Sequence, residues 1–220
     1  MHAEHSSEHM QNSDTSDEQG TSGAVRLPSR HFVLGGARSG KSAYAERLAA
    51  GQSFSVTYMA TAASHASDGE FGARIALHRA RRPAHWQLYE ADENLAGAVL
   101  QADRVGGLIL LDCLTLWLTR LLCPIDRDTP LADWQVKLTE FDHALRNLKG
   151  DIIIVSNEIG MGVVPMGAIT RLYVDELGRL NQRVAACCEA VTLCVAGLPM
   201  VVKAANRQTD RPSDRRAGSA

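Results

Sequence analysis

Through the middle of this chain short apolar runs alternate with longer amphipathic stretches, while both ends carry almost nothing to bury. The runs near 31–35, 54–60, 107–112, 151–156 and 190–196 have the length and composition of strands. Leu108 to Leu111 and Ile152 to Val155 are apolar at every position rather than at alternate ones. Strands of that kind are covered on both faces, so these two are predicted to be central in a sheet. Helical periodicity marks 41–50, 70–82, 92–102, 113–122, 131–148 and 167–188. In the last, Ile169, Leu172, Tyr173, Leu177, Leu180, Val184 and Cys187 recur at helical spacing, while Arg171, Asp175, Arg179 and Arg183 fall on other faces. Strands and helices in alternation predict an α/β fold, a mostly parallel central sheet flanked by crossover helices. No internal repeat is visible.

Residues 1–29 are mostly Ser, Asp, Glu, His and Gln, and 204–220 are rich in Arg, Asp, Ser and Ala. Such segments cannot offset the entropy of ordering, so both are expected to be disordered tails, acidic and polar at the front, around one domain over 30–203. A chain of 220 residues, 45% of them hydrophobic, has enough material for one substantial core. The formal charge of −2 shows no basic excess, which argues against a nucleic-acid partner. The cysteines at 113, 123, 187, 188 and 194 form no C-x-x-C pair and are odd in number, so they are expected to be reduced core residues. With neither a membrane-length apolar run nor a signal-peptide pattern, the expected setting is the cytoplasm, with no membrane span.

The chemistry begins at Gly35, Gly36, Ala37, Arg38, Ser39, Gly40, Lys41 and Ser42, which fit the phosphate-loop pattern G-x-x-x-x-G-K-[ST] between a predicted strand and a predicted helix. Glycines let several backbone N–H groups converge on phosphate oxygens, Lys41 adds a cation near the β/γ-phosphates, and Ser42 offers a hydroxyl to Mg²⁺. Asp112 closes the run Leu108 to Leu111, at the strand tip where P-loop enzymes place a magnesium-holding carboxylate; the competing reading is an N-cap for the next helix. In 70–82, helical spacing aligns Arg74, His78 and then Arg81 or Arg82. Neighbouring guanidiniums keep an imidazole neutral, as a nucleophile must be, although a solvated basic face has the same spacing. Ser156 to Pro165 form a polar, glycine-rich loop in which Glu158 is either a contact for substrate hydroxyls or metal-bound water, or part of a structural turn.

Taken in order, these residues resemble the bifunctional adenosylcobinamide kinase / adenosylcobinamide-phosphate guanylyltransferases of cobalamin biosynthesis. The likeness runs through the phosphate loop, Tyr58 to Thr61, Arg74-Ile75 with His78-Arg79, Arg82-Pro83 with Trp86, Glu90, Asp112 to Thr115, Asn157 to Gly162 with Pro165, and Gly178 to Gln182. It implies a RecA-like P-loop fold, a homotrimer, ATP and GTP as substrates with Mg²⁺, and a corrinoid acceptor, adenosylcobinamide. One implied reaction phosphorylates the acceptor's hydroxyl. In the other, His78 attacks the α-phosphate of GTP and passes GMP to adenosylcobinamide phosphate, giving adenosyl-GDP-cobinamide. The resemblance implies catalytic roles for His78 and Lys41 and metal contacts from Ser42 and Asp112. It places Ala60, Thr61, Ala62, His78, Arg79, Ala80, Arg81, Glu90 and Asp112 around the nucleotide beside the phosphate loop. Where many members have Ala-Thr-Ser, this chain has Ala60-Thr61-Ala62. Two other readings fit the loop alone: a simple P-loop small-molecule kinase or NTPase without covalent GMP, and a non-catalytic nucleotide-binding regulator.

Overall fold

The structure, a computed structural model, describes residues 29–62, 82–124 and 129–205. Its strands are β1 (Arg30–Gly35), β2 (Ser55–Ala60), β3 (Gln87–Glu90), β4 (Gly107–Asp112), β5 (Asp151–Asn157), β6 (Ala190–Val195) and β7 (Leu198–Lys203). The described helices are α1 (Lys41–Ala50), α2 (Leu95–Ala102), α3 (Leu114–Leu122), α4 (Trp134–Arg146) and α5 (Ala168–Cys187). One sheet holds all seven strands in the order β3-β2-β4-β5-β1-β6-β7. Every neighbouring pair is parallel except the hairpin β6–β7.

The consecutive apolar residues of β4 and β5 have the predicted consequence. Ile109, Leu111, Ile152 and Ile154 face one core with Leu95 and Val99 of α2, Trp117 and Leu121 of α3, Phe141 of α4, and Leu177 and Leu180 of α5. Leu108, Leu110, Ile153 and Val155 face the other, with Ala45 and Ala49 of α1, Tyr58 and Trp86. Both strands are central, as full burial on two faces requires. Strand β5 separates β1 from β4, so the phosphate-loop strand and the strand ending in Asp112 lie one place apart, in keeping with the RecA-like P-loop fold. All parallel strands open their loops at the same edge, where the phosphate loop and Asp112 lie.

Several sequence expectations need correction, among them the helix expected over 131–148, which runs Trp134–Arg146, and Cys187, which is only partly buried. Strands β3 and β7 were not expected. The first is short and largely exposed, and the second is exposed along its whole length, so neither shows a burial pattern. Helix α2 begins at Leu95 rather than 92, because the Asn94 side chain accepts from the Gly97 N–H at 3.0 Å and caps it there. Ile169 and Cys123, expected in the core, are exposed. The predicted helix 70–82 and both predicted tails lie outside the described residues, apart from the edges of those spans. No described helix is long and apolar enough to cross a membrane.

Candidate active site

Strand β1 ends at Gly35 and α1 starts at Lys41, so residues 36–40 form the connection between them. A Cβ on Gly35 would stand 2.3 Å from Ser39 Oγ and 2.7 Å from the Cys194 carbonyl oxygen, so only glycine lets the chain turn there. Gly40 has φ 88°, the left-handed region, and its Cα side lies against Gly197 of the β6–β7 turn. That turn braces the loop, as the Gly197 N–H donates to the Ser39 carbonyl at 2.9 Å. On the other side the Glu158 N–H donates to the Gly35 carbonyl at 3.1 Å. Lys41 Nζ reaches across to the Gly36 carbonyl at 3.4 Å. The loop is thus clamped at both flanks while Gly36, Ala37, Arg38 and Gly40 remain exposed, facing whatever binds. The first turn of α1 adds N–H groups and the positive end of its dipole, the ordinary means of holding a phosphate.

Strand pairing brings the second part of the site beside the first. Ala60 lies opposite Asp112 on one side and Glu90 on the other, at the tips of β2, β4 and β3. Asp112 does not cap a helix: Cys113 occupies that position before α3, and Asp112 Oδ2 accepts a hydrogen bond from the Tyr58 hydroxyl at 3.0 Å. The Asp112–Cys113 peptide is cis. Fully buried Thr61 spans this peptide's far side, its hydroxyl donating to the Cys113 carbonyl at 2.6 Å and accepting from the Cys113 N–H at 3.0 Å. Burial, followed by the Asp112 carboxylate, pushes the Cys113 thiol up to about 11, and the Lys41 ammonium opposes the shift. Strands β1 and β4 flank β5 in register, so the phosphate loop and Asp112 lie at the same sheet edge.

Ser42 and Asp112 offer a hydroxyl and a carboxylate oxygen. These hard donors suit Mg²⁺, which commonly takes one or two protein oxygens and completes its shell with water and phosphate. Among the described residues there is no group of three His, Cys, Asp or Glu that could cage a metal by themselves.

The loop after β5 is shaped by its own polar groups. Glu158 Oε1 accepts from the Gly160 N–H at 2.7 Å, so the carboxylate is at least a turn former. Arg171 donates to the carbonyls of Pro165 and Met166. Two residues that the resemblance includes without a role fix the exit of β5: Thr115 Oγ1 accepts from the Asn157 N–H at 2.8 Å, and Asn181 Nδ2 donates to the Asn157 carbonyl at 3.0 Å. A signal for Asn181 was present, since an amide beside Leu180 and Val184 on a buried helix face needs a polar partner. Beyond this anchor Met161, Val163, Val164 and Met166 are exposed.

The structure thus gathers the phosphate loop, Ala60, Thr61, Ala62, Glu90 and Asp112 at one sheet edge. His78, Arg79, Ala80 and Arg81 lie outside the described residues. The end of their segment is described, and there the Arg82 guanidinium carbon sits 4.3 Å from the centre of the Tyr58 ring. Tyr58, Arg82, Pro83, Ala84, Trp86 and Leu88 line an open cleft of ≈ 290 Å³.

Comparison with known proteins gives the family of the chain. The profile of the family described as cobinamide kinase / cobinamide phosphate guanyltransferase matches residues 31–202. The bifunctional adenosylcobalamin biosynthesis protein CobP of Pseudomonas aeruginosa is 52% identical over 174 residues, covering 79% of this chain and 97% of that one. The proteins named bifunctional adenosylcobalamin biosynthesis protein CobU in Escherichia coli and Salmonella typhimurium are each 36% identical over 181 residues, covering 78% of this chain and 98% of theirs. With the phosphate loop, the strand-tip aspartate and the matched span in agreement, this chain belongs to the cobinamide kinase / cobinamide phosphate guanyltransferase family of enzymes.

Proposed function

We propose that one phosphate site serves two reactions at different phosphorus atoms. The observation that carries the reading is the sheet order: β1, which ends in the braced phosphate loop, and β4, which ends in Asp112, flank β5 and open at the same edge. In the kinase reaction, the hydroxyl of adenosylcobinamide attacks the γ-phosphorus of ATP or GTP, the bond to the bridging oxygen breaks, and the nucleoside diphosphate leaves. Backbone N–H groups of residues 36–42 and Lys41 hold the phosphates and offset the charge that builds on them. In the guanylyl reaction, a ring nitrogen of neutral His78 attacks the α-phosphorus of GTP and pyrophosphate leaves. A phosphate oxygen of adenosylcobinamide phosphate then attacks the same phosphorus, the P–N bond breaks, and adenosyl-GDP-cobinamide forms with His78 free again. Ser42 and Asp112 would hold Mg²⁺, which supplies further charge neutralisation on the phosphates. Ala60, Thr61, Ala62, Arg79, Ala80, Arg81 and Glu90 complete the nucleotide's surroundings in this reading.

The assembly we propose is a homotrimer. Supporting it is the edge strand β7, whose Leu198, Met200, Val201 and Val202 are exposed on both faces beside a backbone edge that no described strand pairs. Lone soluble chains seldom leave such an edge open, and a second copy would cover it.

The test uses GTP labelled at the α-phosphate and ATP labelled at the γ-phosphate. Wild-type protein is expected to retain the α-label in an acid-labile, alkali-stable bond and to pass the γ-label to adenosylcobinamide. His78→Ala is expected to lose the first and keep the second, and Lys41→Ala to lose most of both. A wild-type protein that transfers the γ-label yet never retains the α-label would instead be a simple P-loop kinase.

A further inference from the structure

The residue that governs Asp112 lies on another strand. Tyr58 sits two positions before the end of β2, paired in register with Leu110, two before Asp112 on β4. It is 4% exposed, and its hydroxyl ends 3.0 Å from Asp112 Oδ2. The ring is held from the other direction, because Arg82 stacks on its face at 4.3 Å. These two contacts reinforce each other, since a phenol that donates to a carboxylate gains electron density in its ring and draws the guanidinium more strongly.

The phenol carries a single hydroxyl proton and the Asp112 carboxylate accepts it, so Tyr58 is the donor of this pair. A carboxylate at a strand tip would otherwise rotate about its terminal torsion, which is broad for Asp. With Oδ2 engaged by the phenol, the remaining oxygen has one defined direction.

We propose that Tyr58 is a positioning residue that orients Asp112 for metal–nucleotide binding and that Arg82 clamps its ring. The inference rests on the reading of Asp112 as a metal-holding carboxylate. Hydrogen-bond partners of metal-ligating side chains are worth roughly 10- to 100-fold in metal affinity or activity. The low end applies here, because Oδ2 itself remains after the phenol is removed.

The experiment titrates Mn²⁺ into the full-length protein with bound ATP, following free Mn²⁺ by electron paramagnetic resonance, for wild type, Tyr58→Phe, Asp112→Asn and the double variant. Tyr58→Phe keeps the ring under Arg82 and is expected to weaken Mn²⁺ binding about 10-fold. Affinity for a fluorescent ATP analogue in EDTA should stay within twofold, which general damage to the fold would not allow. The double variant should bind Mn²⁺ no more weakly than Asp112→Asn alone, since the phenol acts through the carboxylate. If Asp112→Asn weakens binding and Tyr58→Phe does not, the positioning role is overturned while the metal reading stands. If Asp112→Asn leaves Mn²⁺ binding unchanged, the metal reading falls and the positioning role falls with it.

Discussion

Thr61→Val replaces a hydroxyl by a methyl of similar shape at a position with no solvent exposure. Two hydrogen bonds vanish with it, one to the Cys113 carbonyl at 2.6 Å and one from the Cys113 N–H at 3.0 Å. The carbonyl keeps a longer bond from the Trp117 N–H at 3.4 Å, as the first turn of α3 closes on it. The buried N–H keeps nothing. An orphaned buried donor costs about 1–3 kcal/mol and an ordinary hydrogen bond contributes about 1 kcal/mol net, so the loss should be about 2–4 kcal/mol. For a domain of this size each kcal/mol moves the unfolding midpoint by about 2–4 °C, which places the variant about 4–16 °C below wild type. Thr61→Ser retains the hydroxyl and should lose less than half as much. Differential scanning calorimetry with urea unfolding as a cross-check measures both. A Thr61→Val midpoint within 1 °C of wild type would refute the reasoning, because it would mean that the Cys113 peptide does not depend on this side chain.

Three further outcomes follow from other parts of the structure. Gly35→Ala puts a Cβ 2.7 Å from a backbone carbonyl, so the phosphate loop must shift, and affinity for ATP should fall at least 10-fold by equilibrium dialysis. Buried His31, whose Nε2 lies 2.8 Å from Thr192 Oγ1, has its imidazole lowered to about 4 by burial. Its neutral form is favoured by folding, so its contribution is complete above the unfolded value near 6.5 and is lost as pH falls toward 4. Between pH 7 and 4.5 this removes about 2–3 kcal/mol that His31→Gln should not lose, as urea titrations at the two values would show. If the protein is the proposed trimer, Met200→Glu on β7 should lower the mass seen by sedimentation equilibrium, and an unchanged trimer would assign the contact to another surface.

What could be read from the residues, and what could not, divides along physical lines. The phosphate loop was legible because its glycines answer local demands, such as the close approach at Gly35 and the left-handed turn at Gly40. Strands β4 and β5 were legible because burial on two faces leaves no polar position. Asp112 could be placed at a strand tip, but that it is no helix cap waited for the structure, where Cys113 takes the cap position and the Tyr58 hydroxyl meets the carboxylate, a contact across strands that no spacing encodes. The same holds for Thr61 with Cys113 and for Asn181 with Asn157, where the partners are 52 and 24 residues apart. Strand β7 was missed because its apolar residues face outward on a lone chain, so its sequence does not alternate with a core. The turn at Ala196 and Gly197 was the cue, both residues having positive φ between two apolar runs.

The most direct measurement is a chase. Protein labelled with α-phosphate-labelled GTP is freed of nucleotide and given adenosylcobinamide phosphate in a single turnover. The proposed two-step transfer predicts that the label leaves the protein and appears in adenosyl-GDP-cobinamide at a rate no slower than steady-state turnover. Label that stays on the protein, with product forming only once unlabelled GTP is added, would contradict it, because GMP would then pass directly from nucleotide to acceptor.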